Sequence, residues 1–236
     1  GGLPPGYVLA TKVDPDPRTG DFSGERVRRS VEESLERLGL DRLQLLHLHD
    51  PERISFEECA APGGALEAMA QLRDEGIAEH IGVAGGPVGL MSRYLATGAF
   101  DALITHNRWT LVDRSADELL DEAVAHGVGV VNGAPFGGGI LAKGSEAMPK
   151  YAYSGASAVV LDRVRAMERA CEEHGVPLAA AALQFSTRDA RIHSTIVGVS
   201  RPERIDETVQ LASWDIPDEL WDVLEPLHAP PELWQW

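Results

Sequence analysis

Short apolar runs alternate with amphipathic stretches along the whole chain. The runs are Tyr7–Thr11, Leu43–His49, His80–Val83, Ala102–Thr105, Val128–Asn132 and Ser194–Val197, each four to seven residues long. Continuous apolar segments of this length suit strands covered on both faces, as in a parallel sheet. Between them apolar residues recur at helical spacing. Ser23 caps a predicted helix whose Val27, Val31, Leu35 and Leu38 share a face, and Gly39 stops it. Leu66–Arg73 is a second, stopped by Gly76. Ser115–Glu118 reads as a capping box opening a helix that ends at His126 and Gly127. Ser157–His174 is longer, with Val160, Val164, Met167 and Cys171 on one face and Gly175 at its end. Ser200–Glu203 combines a capping box with a proline near the first helical position. Leu220–Leu227 reads as a short last helix before the Pro/Trp-rich tail Pro230–Trp236, and Gly137–Ser157 as a glycine-rich loop. No linker divides the chain, so residues 1–236 read as a single parallel α/β domain. Six strand–helix units leave open whether the sheet is doubly wound or part of a (β/α)₈ barrel, which needs eight.

Charge narrows the partners. The 37 acidic residues against 21 basic give a net charge of −16 in 236 residues. That balance argues against nucleic acid or an anionic membrane as the main partner, while leaving room for a local basic pocket that takes one phosphate. Apolar residues at 44% and charged residues at 25% are those of a globular domain. Two cysteines, Cys59 and Cys171, form neither a disulfide framework nor a Cys-rich zinc site, and a reducing cytoplasm is the expected location. No apolar run approaches the roughly 18–20 residues of a membrane span, and no basic stretch precedes an apolar core at the N-terminus. His47, His49 and Asp50 lie close in sequence but provide too few ligands for zinc, so no metal is expected. No Gly-x-Ser-x-Gly nucleophile elbow is present.

The strand ends carry a resemblance. Leu9–Val13 (LATKV), Ser30–Asp41 (SVEESLERLGLD), Leu46–Pro51 (LHLHDP), Ile81–Val83 (IGV), Ala134–Gly137 (APFG) and Ile196–Arg204 (IVGVSRPER) resemble, in this order, the aldo-keto reductases. Asn107–Leu111 (NRWTL) and Val176–Phe185 (VPLAAAALQF) are similar to the sugar 1-dehydrogenase branch of that family. The resemblance implies a (β/α)₈ TIM barrel that transfers hydride between NAD(P)H and a carbonyl, here an aldose or related sugar at C1. It also implies that the N-terminal hairpin and the first two βα units, which carry the family's Asp and Tyr, are missing from this chain. A cofactor-binding relative without efficient catalysis, serving as a regulatory or interaction subunit, is the alternative.

By the same resemblance Lys12 and His49 are the catalytic lysine and histidine. Both end strands, where barrel active sites are built. An ammonium stabilises developing alkoxide, and an imidazole orients the substrate oxygen. His47 shares the face of His49 and is the substitute if the register is off. The loop holding Gly133, Pro135, Phe136, Gly137 and Gly139 is assigned to the dinucleotide, although a glycine-rich loop is also an ordinary turn. Ser200, Arg201 and Arg204 at a helix start, with Glu207, are assigned to the adenosine 2′-phosphate and adenine. NADP is therefore expected, with NAD as the alternative; a capped surface helix with solvated arginines is the plainer reading. His106 and Asn107 are placed at the nicotinamide amide, and Arg108 and Trp109 in the substrate pocket, Trp109 being equally suited to packing. Ala84 and Gly85 stand where the family often has Ser-Asn, His106 where it often has Gln, and Gly133 where it often has Tyr. The expected partner is a small carbonyl or sugar.

Overall fold

The computed structural model describes residues 4–235. The chain divides into two compact units. The first runs to Ile104 and includes Glu122–Gly129; the second takes Thr105–Asp121 and everything from Val130 onward.

In the first unit β1 (Ala10–Val13), β2 (Leu43–His49), β3 (Ala78–Ala84) and the start of β4 (Ala102–His106) pair in chain order, all parallel. Leu43, Leu46, Leu48, Ile81 and Val83 are buried, as continuous apolar runs require. The expected Tyr7–Thr11 strand is shifted towards the C-terminus. Tyr7 and Val8 are exposed beyond a turn set by Pro4 and Gly6, and pairing starts at Ala10 opposite Leu45. The crossovers are helical. α1 (Gly24–Leu38) is capped by the Ser23 hydroxyl, which accepts the Arg26 N–H, and ends at Gly39 in the left-handed conformation. Val27 and Val31 are its buried stripe, whereas Leu35 is only half-buried and Leu38 is exposed; α3 (Ala65–Asp74) is the next long helix of the unit. A short α2 (Phe56–Ala60) and α4 (Val88–Leu95) are further helices of this unit; α2 opens at Ser55, whose hydroxyl accepts the Glu58 N–H, a Ser-x-x-Glu signal that sequence reasoning passed over.

In the second unit β5 (Gly129–Gly133) pairs in parallel with β8 (Ser194–Ile196). Its helices include α5 (Asp117–Ala125, shared with the first unit), α6 (Ile140–Lys143), α7 (Ala158–Glu173), α8 (Leu178–Thr187), α9 (Glu203–Ala212) and α10 (Asp218–Leu224). α7 starts at a Ser157 cap and buries Val160, Val164, Met167 and Cys171, as its pattern predicts. α10 is prolonged by a 3₁₀ turn to Leu227. Trp236, the end of the expected tail, lies outside the described residues.

Three local expectations are corrected. The helix after Ser115 begins at Asp117, and the Ser115 hydroxyl does not cap it. It donates instead to Asp113 Oδ1 (2.6 Å) and to the Gln235 carbonyl (3.0 Å). α9 begins at Glu203 after Pro202, with no side-chain cap from Ser200. The segment Gly137–Ser157 is not a plain loop. It holds a 3₁₀ turn, α6 and a hairpin of two two-residue strands, β6 (Lys150–Tyr151) and β7 (Ser154–Gly155). Strands that short have no readable periodicity.

Candidate active site

Period-two geometry brings one group of the first unit together. Lys12 and Asp14 are two positions apart along an extended segment and so share a side of it. His49 ends the neighbouring strand. The Lys12 ammonium lies 3.1 Å from His49 Nδ1 and 3.4 Å from Nε2. Asp14 Oδ1 lies 2.6 Å from His49 Nδ1, and Asp14 Oδ2 lies 3.3 Å from Lys12 Nζ. Burial alone would raise the Asp14 carboxyl, but the hydrogen bond and charge of His49, with the charge of Lys12, outweigh it and hold the group below its ordinary value. An ionised carboxylate only accepts, so the proton on Nδ1 points to Asp14 and Nε2 faces away from it. Asp50 Oδ1 stands 3.4 Å from Nε2. A cavity of about 870 Å³ opens beside Lys12 and Asp14, walled in part by Arg26, Glu33, Arg37 and Arg53. Arg26 and Arg37 both pair with Glu33, and Arg53 with Asp50, which leaves Lys12 as the cation directed at the histidine. Asp14 was not singled out from sequence; its spacing of two from Lys12 is the signal that could have found it.

His47 lies deeper on the same strand. It is 4% exposed, and burial first, then the neighbouring His49, lowers its pKa to about 4. Its ring packs against Gly82, the residue paired with it on β3, where a Cβ would collide with the imidazole. A sealed, neutral imidazole is a poor proton carrier, which favours His49 of the two.

The second unit holds a cleft of about 520 Å³. Four expected cofactor residues, Phe136, Gly139, Arg204 and Glu207, line it together with Gly198, at the start of the stretch assigned to the 2′-phosphate, and with Lys143 and Thr208, which sequence reasoning missed. Lys143 belongs to α6, inside the stretch read as loop. Arg201 and Ser200 are exposed and do not line this cleft. Within the glycine loop, the Gly137 and Gly139 N–H groups already donate to Ala134 O (3.0 Å) and Phe136 O (2.9 Å). Gly133 is buried, and its carbonyl accepts the Asn107 N–H at 3.4 Å. Pro135 precedes Phe136 at the cleft wall but is not itself a lining residue.

The exit of β4 is densely packed. Asn107 is 2% exposed, and its buried Oδ1 has no hydrogen-bond partner among the described residues. The His106 ring is 5.9 Å from that of Tyr153. Arg108 is buried, and its Nη1 donates to His106 O at 3.1 Å. Trp109 is buried against Phe185 with the Arg191 guanidinium 4.9 Å from its ring, the environment of a packing aromatic. Among the described residues, four non-glycine residues have positive φ: Asp50, Asn107, Ala134 and Ala152. The first three follow β2, β4 and β5 directly; Asp and Asn tolerate this left-handed region, so of the three only Ala134 is an unusual residue there.

Comparison with known proteins decides the family. The profile of the Aldo/keto reductase family matches residues 4–228. The chain belongs to the aldo/keto reductase family. A D-threo-aldose 1-dehydrogenase of Pseudomonas sp. is 34% identical over 86% of this chain and 62% of its own length. A pyridoxal 4-dehydrogenase of Microbacterium luteolum is 32% identical over the same shares. An L-galactose dehydrogenase of Arabidopsis thaliana is 30% identical over 98% of this chain and 72% of its own. The chain thus spans 62% of the length of the first two of these relatives. Among solved structures, a holo aldo-keto reductase of Bacillus halodurans superposes with TM-score 0.73 at 22% identity, covering 97% of this chain and 74% of its own. The fold of this family member is therefore of the (β/α)₈ type.

Proposed function

We propose that the chain serves NAD(P)-dependent oxidoreduction of an aldose or related sugar at C1. The observation that carries this reading is the Lys12–His49–Asp14 group at the ends of adjacent parallel strands in a member of this family. The names of the sugar dehydrogenase relatives support the substrate class. A bound nicotinamide would supply or accept the hydride. The protein's part is at the substrate oxygen: the Lys12 ammonium stabilises alkoxide, and His49 Nε2 exchanges or shares a proton there. Asp14 holds the imidazole by its Nδ1–H and keeps Lys12 beside it.

The cleft of the second unit fits a phosphorylated dinucleotide in its donor set. Lys143 and Arg204 offer cations to phosphate, and Glu207 offers a carboxylate to adenosine donors. We assign NADP rather than NAD to it, with Gly133, Pro135, Phe136, Gly137 and Gly139 along the dinucleotide, Ser200 and Arg201 flanking the 2′-phosphate, and His106 and Asn107 at the nicotinamide amide. Arg108 and Trp109 are assigned to the substrate side through the loop they hold. We read residues 1–236 as one domain acting on a small-molecule substrate, with no nucleic-acid or membrane partner, in the cytoplasm. No helix among the described residues is long and apolar enough to cross a membrane.

The second reading, a dinucleotide-binding protein without efficient catalysis, draws on one feature. Among the described residues, the hydrogen bonds and ion pairs of Lys12 and His49 run to each other and to Asp14 and Asp50, not to a tyrosine hydroxyl. One experiment separates the two. The chain is titrated with NADPH by fluorescence, then given NADP with D-threo-aldoses or L-galactose while reduced nicotinamide is followed. Turnover supports the enzyme, binding without turnover the second reading, and absence of both removes the assignment.

A further inference from the structure

The hairpin β6–β7 is fastened on two sides within the second unit. On one side it grips the glycine loop. The Ala152 N–H donates to Gly137 O at 3.1 Å, and the Tyr151 ring lies so close to Gly137 that a Cβ there would sit 2.5 Å from Cε2. On the other side it grips the exit of β4. The buried Tyr151 hydroxyl donates to the Asn107 carbonyl at 2.7 Å and is 2.9 Å from Thr110 Oγ1. A phenol has one hydrogen, so with that hydrogen on Asn107 the Thr110 hydroxyl donates to the phenol oxygen. Thr110 Oγ1 in turn accepts the Val112 and Asp113 N–H groups at 3.1 Å. Each hydroxyl of this bracket is thereby satisfied. Its target, Asn107, sits in the left-handed region at φ +58°, a conformation asparagine tolerates better than most residues with a side chain. The phenol is a dependable donor, because burial pushes its ionisation well above the ordinary range.

We infer that Tyr151 is a positioning residue for the nicotinamide end of a bound dinucleotide, acting through the backbone of His106 and Asn107. This rests on the cofactor assignment proposed above. The geometry separates the two ends of such a ligand. The cleft with Arg204 and Lys143 holds the phosphorylated adenosine end, and its walls do not include the Tyr151 hydroxyl or Asn107. Loss of the hydroxyl should therefore be felt at one end only.

The test compares two ligands on the 236-residue chain and on Tyr151→Phe: NADPH, and 2′-phospho-ADP-ribose, which lacks the nicotinamide. Phe keeps the ring against Gly137 and removes only the donor. One lost hydrogen bond corresponds to a rise of roughly 3- to 10-fold in Kd. That rise is expected for NADPH, with less than about a twofold change for 2′-phospho-ADP-ribose on the same scale. A merely structural role would weaken both alike. Equal changes for the two ligands, or none, would overturn the inference while leaving the cofactor assignment standing. Binding of neither ligand by the unaltered chain would overturn both. If Tyr151→Phe does not fold, hydrogen exchange on the unaltered chain supplies the measurement. NADPH, but not 2′-phospho-ADP-ribose, must slow exchange in residues 105–110 and in residues 150–155 together; protection of one segment without the other rejects the bracket.

Discussion

His47 and His49 stand two positions apart on one strand face and differ in their contact with water. His47 is sealed, with its pKa lowered to about 4 chiefly by burial, so the folded chain takes up a proton there only in strong acid. The unfolded chain takes it up near 6.5. Between those values the unfolded state binds more protons, so stability falls as pH drops from about 6.5 to 4 and is fully present above that window. The expected loss is about 3 kcal/mol. Urea unfolding across this range should show it, and His47→Asn, which cannot titrate, should flatten that limb by one proton; an unchanged limb would place the proton elsewhere. His49, with its side chain 27% exposed, is the opposite case. His49→Ala should keep the melting temperature nearly unchanged while lowering turnover roughly 10²- to 10⁴-fold. Full turnover in that variant would end the role proposed for it. Lys12 and His49 were legible because they end apolar runs inside a recognisable motif. Asp14 was not, since a carboxylate in an Asp-Pro-Asp-Pro stretch reads as loop, and its partner is 35 residues away.

At the scale of elements, strands buried on both faces, such as β2 and β3, announce themselves as apolar runs; all six expected strands overlap observed ones, although β1 and β8 are largely exposed. Caps were less legible, because a hydroxyl joins whichever partner tertiary structure provides. Ser23 and Ser157 cap their helices, whereas Ser115 is drawn to Asp113 and the C-terminal tail. The hairpin carrying Tyr151 escaped notice because what defines it is contact with Gly137 and Asn107, not its own pattern. Register also fixes what small residues do. Gly82 lies opposite His47 in the parallel ladder, with Ala102 O 3.0 Å from where its Cβ would be. Gly82→Ala should therefore cost about 1–3 kcal/mol by overpacking. Gly89 in α4 has open space where a Cβ would stand, with nothing within 4 Å, and no positive φ. Gly89→Ala should stabilise by about 0.4–1 kcal/mol through lost backbone entropy of the unfolded chain. Thermal melts of the two variants must therefore move in opposite directions; a shift of the same sign in both would contradict the β2–β3 register.

For the whole molecule the net charge of −16 sets the background against which any anion binds. NADP carries a further phosphate compared with NAD, so that background disfavours NADP. A preference for NADP must come from local cations close enough to escape screening, within a Debye length of about 8–10 Å at ordinary salt. Sequence pointed to Arg201 and Arg204 alike, because both flank the start of the same helix. The structure separates them: Arg204 lines the cleft with Lys143, while Arg201 is exposed and gives its carbonyl to the Arg204 N–H at 3.1 Å. Arg204→Ala should therefore remove a charge-assisted contact of about 1.5–3 kcal/mol and raise the Kd for NADPH by roughly one to two orders of magnitude. NADH, without the 2′-phosphate, should bind nearly as before. Arg201→Ala should change both by less than about threefold, the range of a solvent-exposed charge. Fluorescence titration of the two cofactors against the two variants measures all four values. Equal affinity of the unaltered chain for NADPH and NADH would reject the 2′-phosphate assignment, and a larger effect at Arg201 than at Arg204 would move the phosphate out of the cleft to the exposed start of α9.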